Sequence, residues 1–198
     1  TIHSCGDDLI QLINDILEYS KMEAGRLELE MKVMDLSPFL DNLVQLYSAS
    51  AKAKSLALRL NVVPGTPAII ITDVRRLKQI LGNLLSNAIK FTESGGVTLQ
   101  VSAQPEAASK GGAQWRWRFA MTDTGIGIAP EHAGNLFNPY SQANAGISRR
   151  FGGTGLGLAV SFQLAKLLGG GLSLTQSIPG QGSTFVLEIV TPAQLETA

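Results

Sequence analysis

Apolar residues recur at three- and four-residue intervals over residues 9–22, 36–53, 73–92 and 158–168, a period that predicts helices with one apolar stripe each. Punctuation agrees with the period. Gly25 stops the first helix, Pro38 falls in the first turn of the second behind Asp35 or Ser37, and Asp73 caps the third. Residues 56–63, 68–72, 97–103, 115–121, 172–176 and 183–190 are β-rich or alternate apolar with polar, which predicts strands. Residues 27–34 read as a link, Pro64-Gly65-Thr66-Pro67 and Pro179-Gly180-Gln181-Gly182 as turns, and 104–114 as a loose loop without function that joins a hairpin. Helices interleaved with mainly antiparallel strands predict an α+β fold, an α/β two-layer sandwich in which helices cover one face of a mixed, largely antiparallel sheet. Trp115 and Trp117, two residues apart, share a face of that sheet and serve packing.

The third helix departs from a plain amphipathic pattern. Ile80, Leu81, Leu84, Leu85, Ala88 and Ile89 fill its stripe, and Asn83, Asn87 and Lys90 run along the margin, followed at once by Phe91. Intervals of four and three residues place those polar groups on one side. Two amide oxygens and an ammonium suit a magnesium-bound triphosphate, because magnesium takes oxygen ligands and leans on substrate phosphates, and a lysine meets phosphate as a compact charge. Phe91 is placed to lie against a base. Taken alone, the helix admits a second reading, with both amides and the lysine facing solvent.

Two glycine clusters add to the first reading. Asp123-Thr124-Gly125-Ile126-Gly127-Ile128 follows the strand at 115–121, so a carboxylate stands at a strand end beside backbone that can approach a ligand closely. An ionised Asp123 accepts a hydrogen bond from an exocyclic amine such as that of adenine, although an Asp beside Gly125 is also a common turn former. Gly152-Gly153-Thr154-Gly155-Leu156-Gly157-Leu158 opens the last helix, where bare N–H groups and the positive helix end suit a phosphate. Between the clusters, residues 138–150 form a polar segment long enough to be a lid, and it carries Arg149 and Arg150. Neither a dinucleotide fingerprint nor a P-loop fits, since Leu158 and Pro130 stand where a third glycine would fall and no Gly-Lys pair occurs.

In their order these segments resemble the ATP-binding domain of sensor histidine kinases, within the wider family of gyrase-type, chaperone-type and mismatch-repair ATPases. The resemblance runs over about residues 6–190 through an N box from Asn83 (NLLSNAIKFT), a first glycine box from Asp123 (DTGIGI), an F box from Leu136 (LFNPYSQA) and a second glycine box from Gly152 (GGTGLGLA). It implies ATP and magnesium as ligands, with Asn87 on the metal, Asn83 and Lys90 on the phosphate side as the catalytic pair, Phe91 beside adenine and Asp123 reading the base. Gly125, Gly127 and Ile128 would shape the base pocket. Gly153, Thr154, Gly155, Leu156, Gly157 and Leu158 would approach the phosphates together with Arg150, and Phe137 would anchor the lid. Asn138 and Tyr140 depart from the usual F box, where an acidic residue and Phe are frequent. Relatives that hydrolyse ATP usually carry a glutamate at position 83 to activate water, whereas Asn83 favours transfer.

The resemblance further implies that residues 1–26 are the end of a dimerisation hairpin, its second helix, that 27–192 are the catalytic domain and that 193–198 are a tail. The acceptor would be a histidine elsewhere on the dimerisation domain, because neither His3 nor His132 stands in the acceptor pattern. The expected partners are ATP, that dimerisation domain, a receiver domain or response regulator, and a second copy in the full-length protein. KFT, SQA and SRRFGGTGLGLA resemble the hybrid subgroup. A non-catalytic module that pairs with another kinase, and an ATPase doing conformational work, are the alternatives.

Composition narrows the setting without altering the reading. The 198 residues are 44% hydrophobic, enough for one core and an appended helix. Sixteen basic and sixteen acidic residues leave no global field for nucleic acid, and Arg75-Arg76 read as solvated surface. The lone Cys5 excludes a disulfide framework and fits a reducing compartment. The resemblance implies a cytoplasmic domain whose parent sits in a bacterial inner membrane.

Overall fold

The computed structural model describes residues 13, 16, 17, 19–22, 24–109, 112–139 and 155–193. Its elements are β1 (Lys32–Asp35), α1 (Leu36–Ala53), β2 (Ala57–Val62), β3 (Ile69–Thr72), α2 (Val74–Phe91), β4 (Gly96–Ser109), β5 (Gly112–Asp123), α3 (Pro130–Ala133), α4 (Gly157–Leu167), β6 (Gly171–Ile178) and β7 (Gly182–Pro192). Before β1, the described residues up to Met22 are helical, and Gly25 ends that helix in the left-handed conformation at φ 64°. The Arg26 amide there donates to the Lys21 carbonyl at 2.9 Å, closing the last turn.

Five strands form one sheet in the order β2-β4-β5-β7-β6, parallel between β2 and β4 and antiparallel elsewhere. The parallel pair needs a crossover, and the chain between β2 and β4 supplies it through β3 and α2. Val97, Leu99 and Val101 of β4, Trp117, Phe119 and Met121 of β5, and Leu187 and Ile189 of β7 are buried on the face that meets the helices. Against them pack Leu40 and Leu43 of α1, Leu77, Ile80, Leu81, Leu84 and Leu85 of α2, and Val160 and Leu164 of α4. Alternate residues on the other face, among them Thr98, Gln100, Arg116 and Arg118, are largely polar, so the helices cover one side only. Trp117 is fully buried and its Nε1 donates to Thr191 Oγ1 at 2.9 Å, while Trp115 packs at the edge of the same core. No helix among the described residues is long and apolar enough to cross a membrane.

Three local expectations need correction. The link at 27–34 ends in a strand, because β1 pairs antiparallel with β3 as a separate two-stranded sheet, Lys32 opposite Thr72 and Asp35 opposite Ile69. The loose loop at 104–114 is mostly hairpin, with β4 and β5 paired as far as Ser109 and Gly112. Pro105 is tolerated there because β2 accompanies β4 only as far as Val101, so this stretch of β4 is an edge needing no N–H donor on that side. Glu106 and Arg116 clasp the extension through bonds of 2.6 and 3.0 Å. Of the two arginines read as surface, Arg75 is exposed but Arg76 is 7% exposed, turned inward on the first turn of α2.

Candidate functional site

The helix that carries the amides is fixed at both ends. At its start Asp73 Oδ1 accepts the Arg76 amide at 3.0 Å, and Asp73 Oδ2 accepts the Glu30 amide at 2.9 Å, which ties the incoming chain to α2. At its end Thr92 leaves in an extended conformation and its Oγ1 returns to the Ala88 carbonyl at 2.7 Å. The apolar stripe is buried along its whole length, and Asn83, Asn87, Lys90 and Phe91 stand half-buried beside it.

Asn83 and Asn87 are joined, Asn87 Nδ2 donating to Asn83 Oδ1 at 3.3 Å, and Asn83 Nδ2 donates in turn to Ser161 Oγ of α4 at 2.9 Å. The first amide is thus spent on holding the second and on binding α2 to α4. Asn87 keeps its own oxygen for a ligand, since no described residue donates to it. Lys90 lies 5.2 Å from the centroid of the Phe91 ring, and burial lowers its pKa below the ordinary lysine value. A partly desolvated ammonium gains more from an incoming anion than a hydrated one does.

Asp123 ends β5 and is buried. Burial pushes its pKa up, and hydrogen bonds from the Gly125 and Ser183 amides pull it back; the Gly125 bond measures 2.8 Å to Oδ1. The loop that follows leans on α2, with the Ile126 amide donating to the Phe91 carbonyl at 3.2 Å. A Cβ at Gly125 would collide with that same carbonyl, so the close approach itself demands glycine. On its other side the loop rests on the β6–β7 turn, where the Ile128 amide donates to Ser177 Oγ at 2.7 Å and the Gly180 amide to the Ile126 carbonyl at 2.8 Å. Gly127 also fits here only without a side chain, facing the Ile178 carbonyl.

The second glycine cluster enters the described residues at Gly155. Leu156 is buried at the N-cap of α4, its side chain making no cap bond, and Leu158 packs against the core. Gly157 touches the amide site directly, since a Cβ there would stand 2.6 Å from Asn83 Oδ1. Phe137 stacks on Phe162 of α4 with ring centroids 5.0 Å apart, and Lys166 covers the other ring at 4.3 Å. Arg150, Gly153, Thr154 and nearly all of the segment at 138–150 lie outside the described residues.

Asn83, Asn87, Lys90, Phe91, Asp123, Gly125, Gly127, Gly157 and Phe137 therefore belong to one connected region built on α2, the end of β5 and the start of α4. Two participants carried no sequence signal. Ser177 reaches the glycine loop across 49 residues and Lys54 reaches the end of α2 across 35.

Residues 72–193 match the family described as histidine kinase-, DNA gyrase B- and HSP90-like ATPase. The chain is 42% identical over 189 residues to the signal transduction histidine-protein kinase BarA of Escherichia coli, covering 96% of this chain and 20% of that protein. It is 40% identical over 184 residues to hybrid signal transduction histidine kinase B of Dictyostelium discoideum, covering 93% of this chain and 9% of that protein. Among solved structures, full-length ShkA in complex with AMPPNP superposes with a TM-score of 0.80 at 33% identity, over 96% of this chain and 37% of that one. The chain thus spans a fifth or less of the length of these two relatives, 20% and 9%.

Proposed function

The chain belongs to the histidine kinase-, DNA gyrase B- and HSP90-like ATPase family, in the form found in sensor kinases, and from that premise we propose that it binds ATP with magnesium and donates the γ-phosphoryl group to a histidine. The observation that carries the proposal is the bond chain from Asn87 through Asn83 to Ser161, which sets one amide oxygen on the same side of α2 as Lys90 and joins that side to α4, the helix that the second glycine cluster opens. In this reading Asn87 ligates the metal, Lys90 and the amides of Gly157 and Leu158 hold phosphate with Leu156 beside them, and Arg150, Gly153, Thr154 and Gly155 complete that side. The donor set fits magnesium, a hard cation satisfied by a neutral oxygen together with water and substrate phosphate. When bound, the ion would supply divalent charge against the phosphate oxygens. Asp123 accepts the exocyclic amine of adenine, with Phe91, Gly125, Gly127 and Ile128 around the base and Phe137 anchoring the lid on α4.

Asn83 has no basic atom to activate water, and its amide is occupied on both sides. The site would therefore position the γ-phosphoryl group for an acceptor, positioning and charge being most of what such a transfer needs from protein. The bond from the γ-phosphorus to the ADP oxygen breaks, one to an imidazole nitrogen forms, and the imidazole releases its proton to solvent. The helical residues up to Met22 would be the second helix of a dimerisation hairpin, a role supported by Ile13, Ile16 and Leu17, which are exposed although apolar.

Titration calorimetry of the full chain with magnesium-ATP, followed by incubation with a separate hairpin bearing the acceptor histidine, tests this. Binding with transfer of label to histidine is the expected result, and Asn87→Ala should weaken binding at least tenfold, roughly the loss of one charged-group contact. Binding without transfer would leave a regulatory module, and steady phosphate release without acceptor would indicate a conformational ATPase.

A further inference from the structure

A helix leaves its last carbonyls without intrahelical donors, and some other group must meet them. In α2 every carbonyl from Ala88 to Thr92 has such a partner. Thr92 Oγ1 serves Ala88, and the Ile126 amide of the first glycine loop serves Phe91. The remaining ones are met by a single ammonium: Lys54 Nζ donates to the Ile89 and Lys90 carbonyls at 2.8 Å each and to the Thr92 carbonyl at 3.3 Å. Lys54 comes from the turn after α1, and its positive charge sits at the negative end of the α2 dipole.

We infer that Lys54 is a positioning residue for the nucleotide site, a role that rests on the ATP-binding reading above. The turn it closes is the one that carries Lys90 and Phe91, and the Phe91 carbonyl in the middle of that turn is the anchor for the glycine loop beside Asp123. One exposed lysine on a neighbouring element therefore sets the phosphate side and the base side of the pocket together. It never needs to reach the nucleotide. Without its donors, the Ile89 and Lys90 carbonyls turn to water, the last turn loosens, and both sides of the pocket lose their reference.

The test compares Lys54→Met, which keeps an apolar stem of similar reach, with Lys54→Cys before and after aminoethylation, in a Cys5→Ser background. Affinity for magnesium-ATP is read by calorimetry well below the melting temperature, and thermal melting without nucleotide is read in parallel. A purely structural lysine would shift melting and leave the affinity of the folded fraction unchanged. The expected outcome is roughly fivefold weaker binding for Lys54→Met, the scale of a helix-end charge, with recovery when the Lys54→Cys protein is aminoethylated. Unchanged affinity in Lys54→Met, or no recovery on aminoethylation, overturns the inference. If Lys54→Met does not fold, the Lys54→Cys pair and Lys54→Arg decide by the same criterion. Failure of the unsubstituted chain to bind magnesium-ATP is a different result and removes the pocket reading itself.

Discussion

Asn83 on α2 donates from Nδ2 to Ser161 Oγ on α4 at 2.9 Å, a bond between residues 78 apart in sequence. It joins the helix of the amides to the helix opened by the second glycine box, and it leaves Asn83 Oδ1 to receive Asn87. Ser161 is buried, so Ser161→Ala leaves half of a shielded pair behind. The expected cost is about 1–2 kcal/mol in denaturant unfolding, together with a several-fold loss of magnesium-ATP affinity as Asn83 loses its fixed orientation. Equal stability and affinity in the two proteins would mean that the bond does not organise the site.

Gly157→Ala separates stability from function at the same contact. In a helix, alanine is favoured over glycine by roughly 1 kcal/mol. Here the new Cβ would lie 2.6 Å from Asn83 Oδ1, the end of a side chain that can rotate away. The alanine preference should roughly offset the loss of the Asn83–Ser161 bond, about 1–2 kcal/mol, and leave fold stability within about 1 kcal/mol, while the displaced amide lowers nucleotide affinity about tenfold or more, the loss of one well-made polar contact. Melting temperature and calorimetry on one preparation check both halves.

Much of this arrangement was legible because the informative residues are neighbours in sequence. The bounds 36–53 predicted for α1 coincide with Leu36–Ala53, and 73–92 differs from Val74–Phe91 only by its caps, since period and capping are local signals. The strand Lys32–Asp35 was not legible. Its four residues hold a strand by pairing with Ile69–Thr72, a partner that short-range pattern does not contain. Residues 104–114 look like a loop because Pro105, Gly111 and Gly112 are there, and the clasp between Glu106 and Arg116 is visible only once the register is known. Arg76 could not be told from Arg75 by type, only by the side of α2 it occupies. Ser177 and Lys54 escaped for the same reason: each is an ordinary polar residue whose meaning comes from a partner more than thirty residues away, at separations of 49 and 35.

Nucleotide affinity should depend on pH through Asp123. Burial raises its pKa above that of an unfolded Asp, the opposing bonds from Gly125 and Ser183 notwithstanding. A carboxyl with a raised folded pKa contributes most to stability below the unfolded value and loses that contribution as pH rises through the folded value, so at neutral pH its charge is a burden on the fold. Base recognition runs the other way, because only the ionised form is purely an acceptor. Acidification from neutrality should weaken ATP binding before the exposed carboxylates protonate. Asp123→Asn should abolish that pH dependence, weaken binding at neutral pH and leave the fold at least as stable there. Calorimetry across the acid range, paired with melts, measures this, and an affinity in the unsubstituted protein that stays flat down to the ordinary carboxyl range would contradict the assigned role.

Ser55 offers a gain in stability away from the pocket. It is the one non-glycine among the described residues with positive φ, at 57°, and it closes α1 with its amide on the Lys52 carbonyl at 2.9 Å and the Leu56 amide on the Ala51 carbonyl at 2.9 Å. That is the position where helices favour glycine. A side chain in the left-handed region costs roughly 1–2 kcal/mol, and glycine returns part of the gain through its freer unfolded state. Ser55→Gly should therefore stabilise by about 0.5–1 kcal/mol, a rise of about 1–4 °C in melting temperature for a chain of this size. Ser55→Val should fall by more than that, its branched Cβ being least suited to this backbone. Both substitutions sit one residue from Lys54, so their effect on magnesium-ATP affinity is informative as well. Glycine fits the existing backbone and should leave the three bonds of the ammonium and the affinity unchanged. Valine should shift the turn and weaken binding in step with the loss of that cap, which calorimetry on the two proteins at one temperature resolves.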